Sequence, residues 1–169
     1  MLLAEKSRCL LLVATACVLL GGEQSWAAGK VLSNNGLVSI DVLDLSYTKA
    51  LTDVNGISRY PKQGSGYRWA VLMVVVQNTS GGDLDNFAPF VAATMEDSET
   101  FTYEAECEIE YPQQIPTVEH LRKGAKIKGR IAFAIPKKAK ARILNWNTYP
   151  YAPNGMREPT VVIELADAK

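Results

Sequence analysis

The stretch from Tyr67 to Asn78 reads YRWAVLMVVVQN and carries three consecutive valines, Val74, Val75 and Val76. β-Branched side chains are stiff at χ1 and crowd a helix, but they pack well on a pleated surface. The run therefore reads as a central strand covered on at least one face. The rest of the chain obeys the same period of two. Val38, Ile40 and Val42 fall on one face, and Leu43, Leu45 and Tyr47 on the other, which calls for a bulge or a strand that changes sheets. Ile127, Ile131, Phe133 and Ile135 share a face opposite Lys126, Lys128 and Arg130, the pattern of a half-buried strand that Pro136 ends. Phe90–Met95, Phe101–Tyr103, Arg142–Trp146 and Thr160–Leu165 read as further strands. Asn55-Gly56 is a hairpin turn signal and Gly81-Gly82 marks another turn. Residues 58–66, with Pro61, Gly64, Ser65 and Gly66, read as loop, and Thr117–Leu121 as a short helical turn. About seven or eight strands without amphipathic helices predict an all-β sandwich.

The first 27 residues read as an address. Lys6 and Arg8 precede the apolar run Cys9–Leu20, CLLLVATACVLL. Twelve residues are too short to span a bilayer as a helix, which takes about 20, but they suit a signal-peptide core. Gly21-Gly22 breaks the run, and Ser25-Trp26-Ala27 places small residues around a bulky one, so cleavage after Ala27 is expected in preference to Ala28. This makes 1–27 a removable signal peptide and 28–169 one domain, with no transmembrane helix left after removal. The competing reading is a lipoprotein signal ending at Cys17. Ala14-Thr15-Ala16 supplies small residues before it, but the apolar run continues beyond it.

Charge narrows the partners. The chain has 18 basic and 18 acidic side chains, and the signal segment holds two of each, so the remainder is also balanced. A neutral domain has no electrostatic footprint for nucleic acid or for an anionic membrane. A chain of roughly 140 residues buries about two-thirds of its unfolded surface, enough for a core without staples. Outside the signal segment only Cys107 remains, so no intramolecular disulfide is expected.

Three segments resemble a known family. They are Tyr67–Thr79, ending in Asn-Thr; Leu121–Ala125, a Leu-x-x-Gly turn; and Lys128–Lys137, with its Gly-x-x-x-Phe-x-x-Pro strand. Across residues 36–148 they are similar to a bacterial exported immunoglobulin-like domain family of unknown function, related to mycobacterial secreted immunoprotective antigens. The resemblance implies an exported immunoglobulin-like sandwich and supplies no catalytic residues. Gly124 and Gly129 fit tight turns or close backbone approach. The chain departs from the family between Met95 and Phe101, where Asp97-Ser98-Glu99 stands in place of an Asp-Gly turn.

Glu104, Glu106, Glu108 and Glu110 alternate with Ala105, Cys107, Ile109 and Tyr111. On a strand they would line one face about 6.5–7 Å apart. That face reads as a solvated edge that discourages pairing, or as a surface for calcium or a basic partner. Trp146, Tyr149 and Tyr151, with Pro150 and Pro153, form an aromatic loop suited to sugar or peptide contacts, or to packing on the sandwich edge. Lys137, Lys138, Lys140 and Arg142 form a basic run, a solvated loop or a contact for acidic glycans or lipid headgroups. Asp53, Asn55, Asp83, Asp85 and Asn86 read as turn residues. Asn78-Thr79-Ser80 is a glycosylation sequon in form only. Cys107 is expected to point inward and His120, the single histidine, to sit in a polar turn. No metal or cofactor is expected, since there is no second histidine and no cysteine pair. These residues predict an exported, non-enzymatic module, periplasmic or extracellular, that binds a protein or glycan or serves the envelope structurally. The alternatives are a module anchored through Cys17, such as a surface lipoprotein or adhesin, and a thiol hydrolase using Cys107 and His120.

Overall fold

The computed structural model describes residues 29–33, 36–87, 93–147 and 161–166. The expected signal peptide, and Tyr149 and Tyr151, lie outside these residues. The described chain forms β1 (Gly29–Ser33), β2 (Val38–Thr48), β3 (Leu51–Thr52), β4 (Ser58–Arg59), β5 (Tyr67–Asn78), β6 (Leu84–Phe87), β7 (Ala93–Asp97), β8 (Thr102–Glu104), β9 (Val118–Leu121), β10 (Lys126–Pro136), β11 (Ala141–Trp146) and β12 (Val161–Leu165). Eight strands make the sandwich, a five-stranded sheet β1-β12-β11-β7-β8 and a three-stranded sheet β10-β5-β2. β3–β4 and β6–β9 are separate two-stranded pairs. The fold is all-β, as the alternation requires. No described helix is long and apolar enough to cross a membrane.

The valine run is the central strand of its sheet. Ala70, Leu72, Val74 and Val76 face inward and meet Met95, Leu144, Trp146, Val161 and Ile163 from the other sheet. Burying a large apolar side chain contributes about 1.5–3 kcal/mol, so this inner face dominates stability. The phase change in β2 is a bulge: the register shifts between Val42 and Asp44. The extra residue, Leu43, turns partly outward, and both Val42 and Leu45 reach the core.

Two of the family motifs meet at one buried amide. Asn78 is fully buried, and its Nδ2 donates to the Gly82 and Leu121 carbonyls at 2.8 and 2.7 Å. Its Oδ1 accepts from the Ser80 N–H and hydroxyl at 2.9 and 2.7 Å. Its backbone N–H and C=O bond Ala125 and Gly124. The amide is saturated, as a buried polar group must be. The Asn-Thr strand end and the Leu-x-x-Gly turn are thus two halves of one structural clasp. The folded chain presents no free amide at the sequon.

Gly129 has a different reason to be glycine. A Cβ there would lie 2.3 Å from the Ile115 Cα and 2.5 Å from its nitrogen. The 105–117 segment therefore lies directly against β10. It bonds that edge through Glu106 N–H to Ala132 C=O, Ile115 N–H to Arg130 C=O and Arg130 N–H to Gln113 C=O. Since β10 is the outer strand of its sheet, this excursion covers an edge that would otherwise invite pairing.

Three expectations are corrected. Residues 118–121 are not a helical turn but strand β9, antiparallel to β6, with Leu121 packed into the core. Asp85 and Asn86 lie on β6 rather than in a turn. Ser58 and Arg59 form β4 rather than the start of a loop.

Candidate functional site

The outer face of the three-stranded sheet is also covered at one end. Trp69 and Val71 of β5 and Ala132 of β10 point away from the main core and pack with Leu51 and Tyr111 in a second cluster. Leu51 belongs to the β3–β4 hairpin and Tyr111 to the 105–117 excursion, so two segments far apart in sequence share one layer.

The hairpin is held by its turn. The buried Asp53 carboxylate accepts the N–H groups of Asn55 and Ile57 at 2.9 and 2.8 Å, and Arg59 Nε donates to its second oxygen at 2.8 Å. The Ile57 N–H, with Arg59 and Asn55 adding to it, outweighs burial and lowers the Asp53 pKa below its ordinary value. Gly56 supplies the positive φ that the turn needs. The Trp69 indole donates to the Arg59 carbonyl at 2.9 Å, and Val54 N–H bonds the Glu110 carbonyl at 3.1 Å. The excursion is fixed from below by the buried Tyr111, whose hydroxyl donates to the Arg130 carbonyl at 3.2 Å; burial pushes its phenol pKa upward.

Between hairpin and excursion lies an open cleft of about 480 Å³, bordered by Asp53, Val54, Tyr60, Lys62, Glu108 and Glu110. Val54, Ile57 and Tyr60 are 52, 51 and 66% exposed. Three large apolar side chains thus stand in solvent within seven residues, on a braced turn. Lys62 forms an ion pair with Glu108, and that hydrogen bond raises the lysine pKa. Both side chains are well exposed, so the pair is a polar rim rather than a stabilising contact.

The expected acidic face is not formed. β8 ends at Glu104, Ala105 bridges to Phe133 of β10, and the chain then bends. The Glu106 carboxylate drives the bend by accepting the N–H groups of Glu108 and Ile109 at 2.6 and 3.2 Å. Glu108 and Glu110 reach the cleft, while Glu104 and Glu106 border a neighbouring depression of about 400 Å³. Among the described residues no three acidic, histidine or cysteine side chains converge as a metal site would require.

Trp146 offers no ligand surface. It is the fully buried end of β11, and its ring stacks on Phe87 with centroids 6.3 Å apart. Cys107 is exposed rather than inward, because the bend at Glu106 breaks the alternation. His120 pairs across strands with Asp85, Nδ1 to Oδ1 at 2.7 Å, and Glu119 lies 3.7 Å from Nε2. The bond to Asp85 raises the histidine pKa. His120 is committed to carboxylates on β6 and β9, so the geometry does not assemble a cysteine–histidine pair. The sequence reading missed Val54, Ile57 and Tyr60. Their signal was three large apolar residues in a segment of turn composition.

Fold and site define a small all-β sandwich domain with an accessory hairpin braced on its outer face. Residues 35–154 match the family described as Domain of unknown function (DUF4352), and the chain belongs to that family. Among solved structures it is similar to ycdA, a candidate lipoprotein from Bacillus subtilis: TM-score 0.58 and 17% identity over 81% of this chain and 38% of that one. The chain thus spans well under half the length of that protein. It is also similar to the secreted protein MPT63 from Mycobacterium tuberculosis, with TM-score 0.49 and 17% identity over 83% of this chain and 91% of that one. A β-sandwich protein from Clostridium difficile aligns with TM-score 0.46 and 11% identity over 83% and 91%. A comparison with curated proteins found no match.

Proposed function

We propose that the chain is an exported, non-enzymatic binding module that holds a protein partner through the β3–β4 hairpin. The observation that carries this reading is the exposure of Val54, Ile57 and Tyr60 beside the Lys62–Glu108 rim. An apolar centre ringed by charge is the usual anatomy of a protein interface, and tyrosine is a frequent anchor in one. Glu108 and Glu110 give the same cleft an acidic wall, which favours a basic segment on the partner. The turn is already braced, so little order has to be gained on binding.

Export is the second part of the proposal. Cleavage after Ala27 leaves β1, which begins at Gly29 and pairs with β12, inside the mature chain. The fold shared with a candidate lipoprotein favours the same compartment. Mass spectrometry of the chain from the producing cell tests this directly. A mass starting at Ala28 is expected; a diacylglyceryl-Cys17 start means lipid anchoring instead, and retention of residue 1 refutes export.

Site-specific photo-crosslinking tests the binding surface. A photoreactive residue at Tyr60 in the producing cell is expected to give a discrete adduct that disappears with Val54→Asp. The same probe at Lys126, at the far end of the sheet, should give none. Equal labelling from both positions, or none from Tyr60, contradicts the proposal.

A further inference from the structure

The ends of three adjacent strands meet beside Tyr60. β2 ends at Thr48, β5 begins at Tyr67 and β10 ends at Pro136, with Tyr67 opposite Pro136 and Trp69 opposite Thr48. The next residues along β2 and β10 are Lys49 and Lys137, which place two ammonium groups on either side of Tyr67. Neighbouring strands lie about 4.8 Å apart, so the two lysine backbones stand about 10 Å apart. Between them opens a cleft of about 300 Å³ lined by Lys49, Tyr60, Pro61, Tyr67, Lys137 and the 64–65 turn.

Two features distinguish this cleft from the one on the other side of Tyr60. No carboxylate lines it, and neither lysine is in an ion pair among the described residues. Lys62, by contrast, is already taken up by Glu108. Apart from the two ammonium groups, its walls are mainly tyrosine rings and proline. Its loop is also preformed: Gly64 N–H bonds the Pro61 carbonyl, Tyr67 N–H the Gly64 carbonyl and Lys137 N–H the Gly66 carbonyl.

We propose that this cleft binds a carboxylated sugar, one or two uronate units of an acidic polysaccharide. The apolar face of a sugar ring stacks on the exposed Tyr60 or on Tyr67, and the carboxylates meet Lys49 and Lys137. A ring with an apolar face and a polar edge is what a tyrosine wall between two cations complements. Lys138, exposed on the same turn, continues the positive edge along a polymer. The domain is neutral overall, so no net charge holds it on an anionic leaflet or along a nucleic-acid backbone. This site shares Tyr60 with the proposed partner surface, but its Lys49, Tyr67 and Lys137 do not border that surface.

Calorimetry on the mature chain, with free-acid oligogalacturonate and oligomannuronate as probes, tests the site. Binding is expected to both or to one, to weaken as salt rises from low to physiological strength, and to vanish with the methyl-esterified oligomer. The double variant K49Q/K137Q should weaken it at least about tenfold, with K49R/K137R restoring most of it. Glu108→Gln and Val54→Asp, on the other cleft, should leave it unchanged. Circular dichroism shows whether each variant is folded. The proposal is overturned if neither uronate oligomer binds, if the ester binds as well as the acid, or if K49Q/K137Q binds as wild type. Preferential capture of phosphatidylglycerol vesicles by the same lysines also overturns it.

Discussion

The turn that begins at Asp97 and the turn that begins at Asp53 are built alike. In each, the aspartate carboxylate accepts the N–H groups of the residues two and four positions later: Asn55 and Ile57 in one, Glu99 and Phe101 in the other. In each, a side chain six positions later donates to the second oxygen, Arg59 at 2.8 Å and Tyr103 at 2.6 Å. The residue three positions later has positive φ, Gly56 at 80° and Thr100 at 69°. Their surroundings differ. Asp97 ends a strand of the five-stranded sheet, and Asp53 belongs to a hairpin outside both sheets. One device closes the sandwich, and the other presents Val54, Ile57 and Tyr60 to solvent. Local chemistry fixes the turn, and the layer beneath it decides what the turn is for.

The largest expected effect is at the joint between these regions. Gly129→Ala pushes the excursion off β10 and should cost about 3 kcal/mol in chemical denaturation, the upper range for overpacking. Because the excursion carries Ile115 into the main core, the loss should be global. Asp97→Ala comes next. It strands the Tyr103 hydroxyl and two N–H groups from a charged acceptor and should cost about 2 kcal/mol. Asp53→Ala should loosen the hairpin with a much smaller shift of the unfolding midpoint. Equal shifts would break the comparison.

The sequence carried the sandwich and missed its accessory layer for definite reasons. β2, β5 and β10 are long, and each repeats its alternation often enough to be read. β1, β6 and β9 have four or five residues, of which few are apolar, and they exist because a partner strand lies alongside. Trp146 reads as part of a Pro-rich aromatic loop, although its spacing of two from Leu144 places both on the inward face of β11. The acidic alternation after Glu104 was a true pattern without a strand, because Glu106 spends its carboxylate on backbone N–H groups. The meeting of residues 53–60 with 108–110 is set by long-range packing on Trp69 and Val71, and no local pattern encodes it.

Smaller effects sharpen the two turns further. Thr100 occupies a conformation that costs a β-branched residue about 1–2 kcal/mol, so Thr100→Gly should stabilise the chain by about 0.5–1 kcal/mol after glycine's entropy is subtracted. Burial raises the Asp97 pKa, but Tyr103 and the N–H groups of Phe101 and Glu99 outweigh it, and the net shift is downward. A lowered carboxylate pKa stabilises above the unfolded value of about 3.9, and the contribution is lost as pH falls through the folded value. Stability should therefore drop below about pH 4, with a shallower drop in Asp97→Asn. The smallest effect is at His120. Its raised pKa stabilises below about pH 6.5 and fades as pH climbs through the folded value. Asp85→Asn should lower its NMR titration midpoint and barely alter the unfolding midpoint.

Amide hydrogen exchange of the Ile57 and Phe101 N–H groups, followed in one sample of the protein, tests the contrast between the turns. The two amides donate to the same kind of oxygen in the same kind of turn. Phe101 should exchange only through global unfolding, with a denaturant dependence matching the whole domain, while Ile57 exchanges faster through local opening of the hairpin. Identical protection and denaturant dependence at both amides would contradict the account.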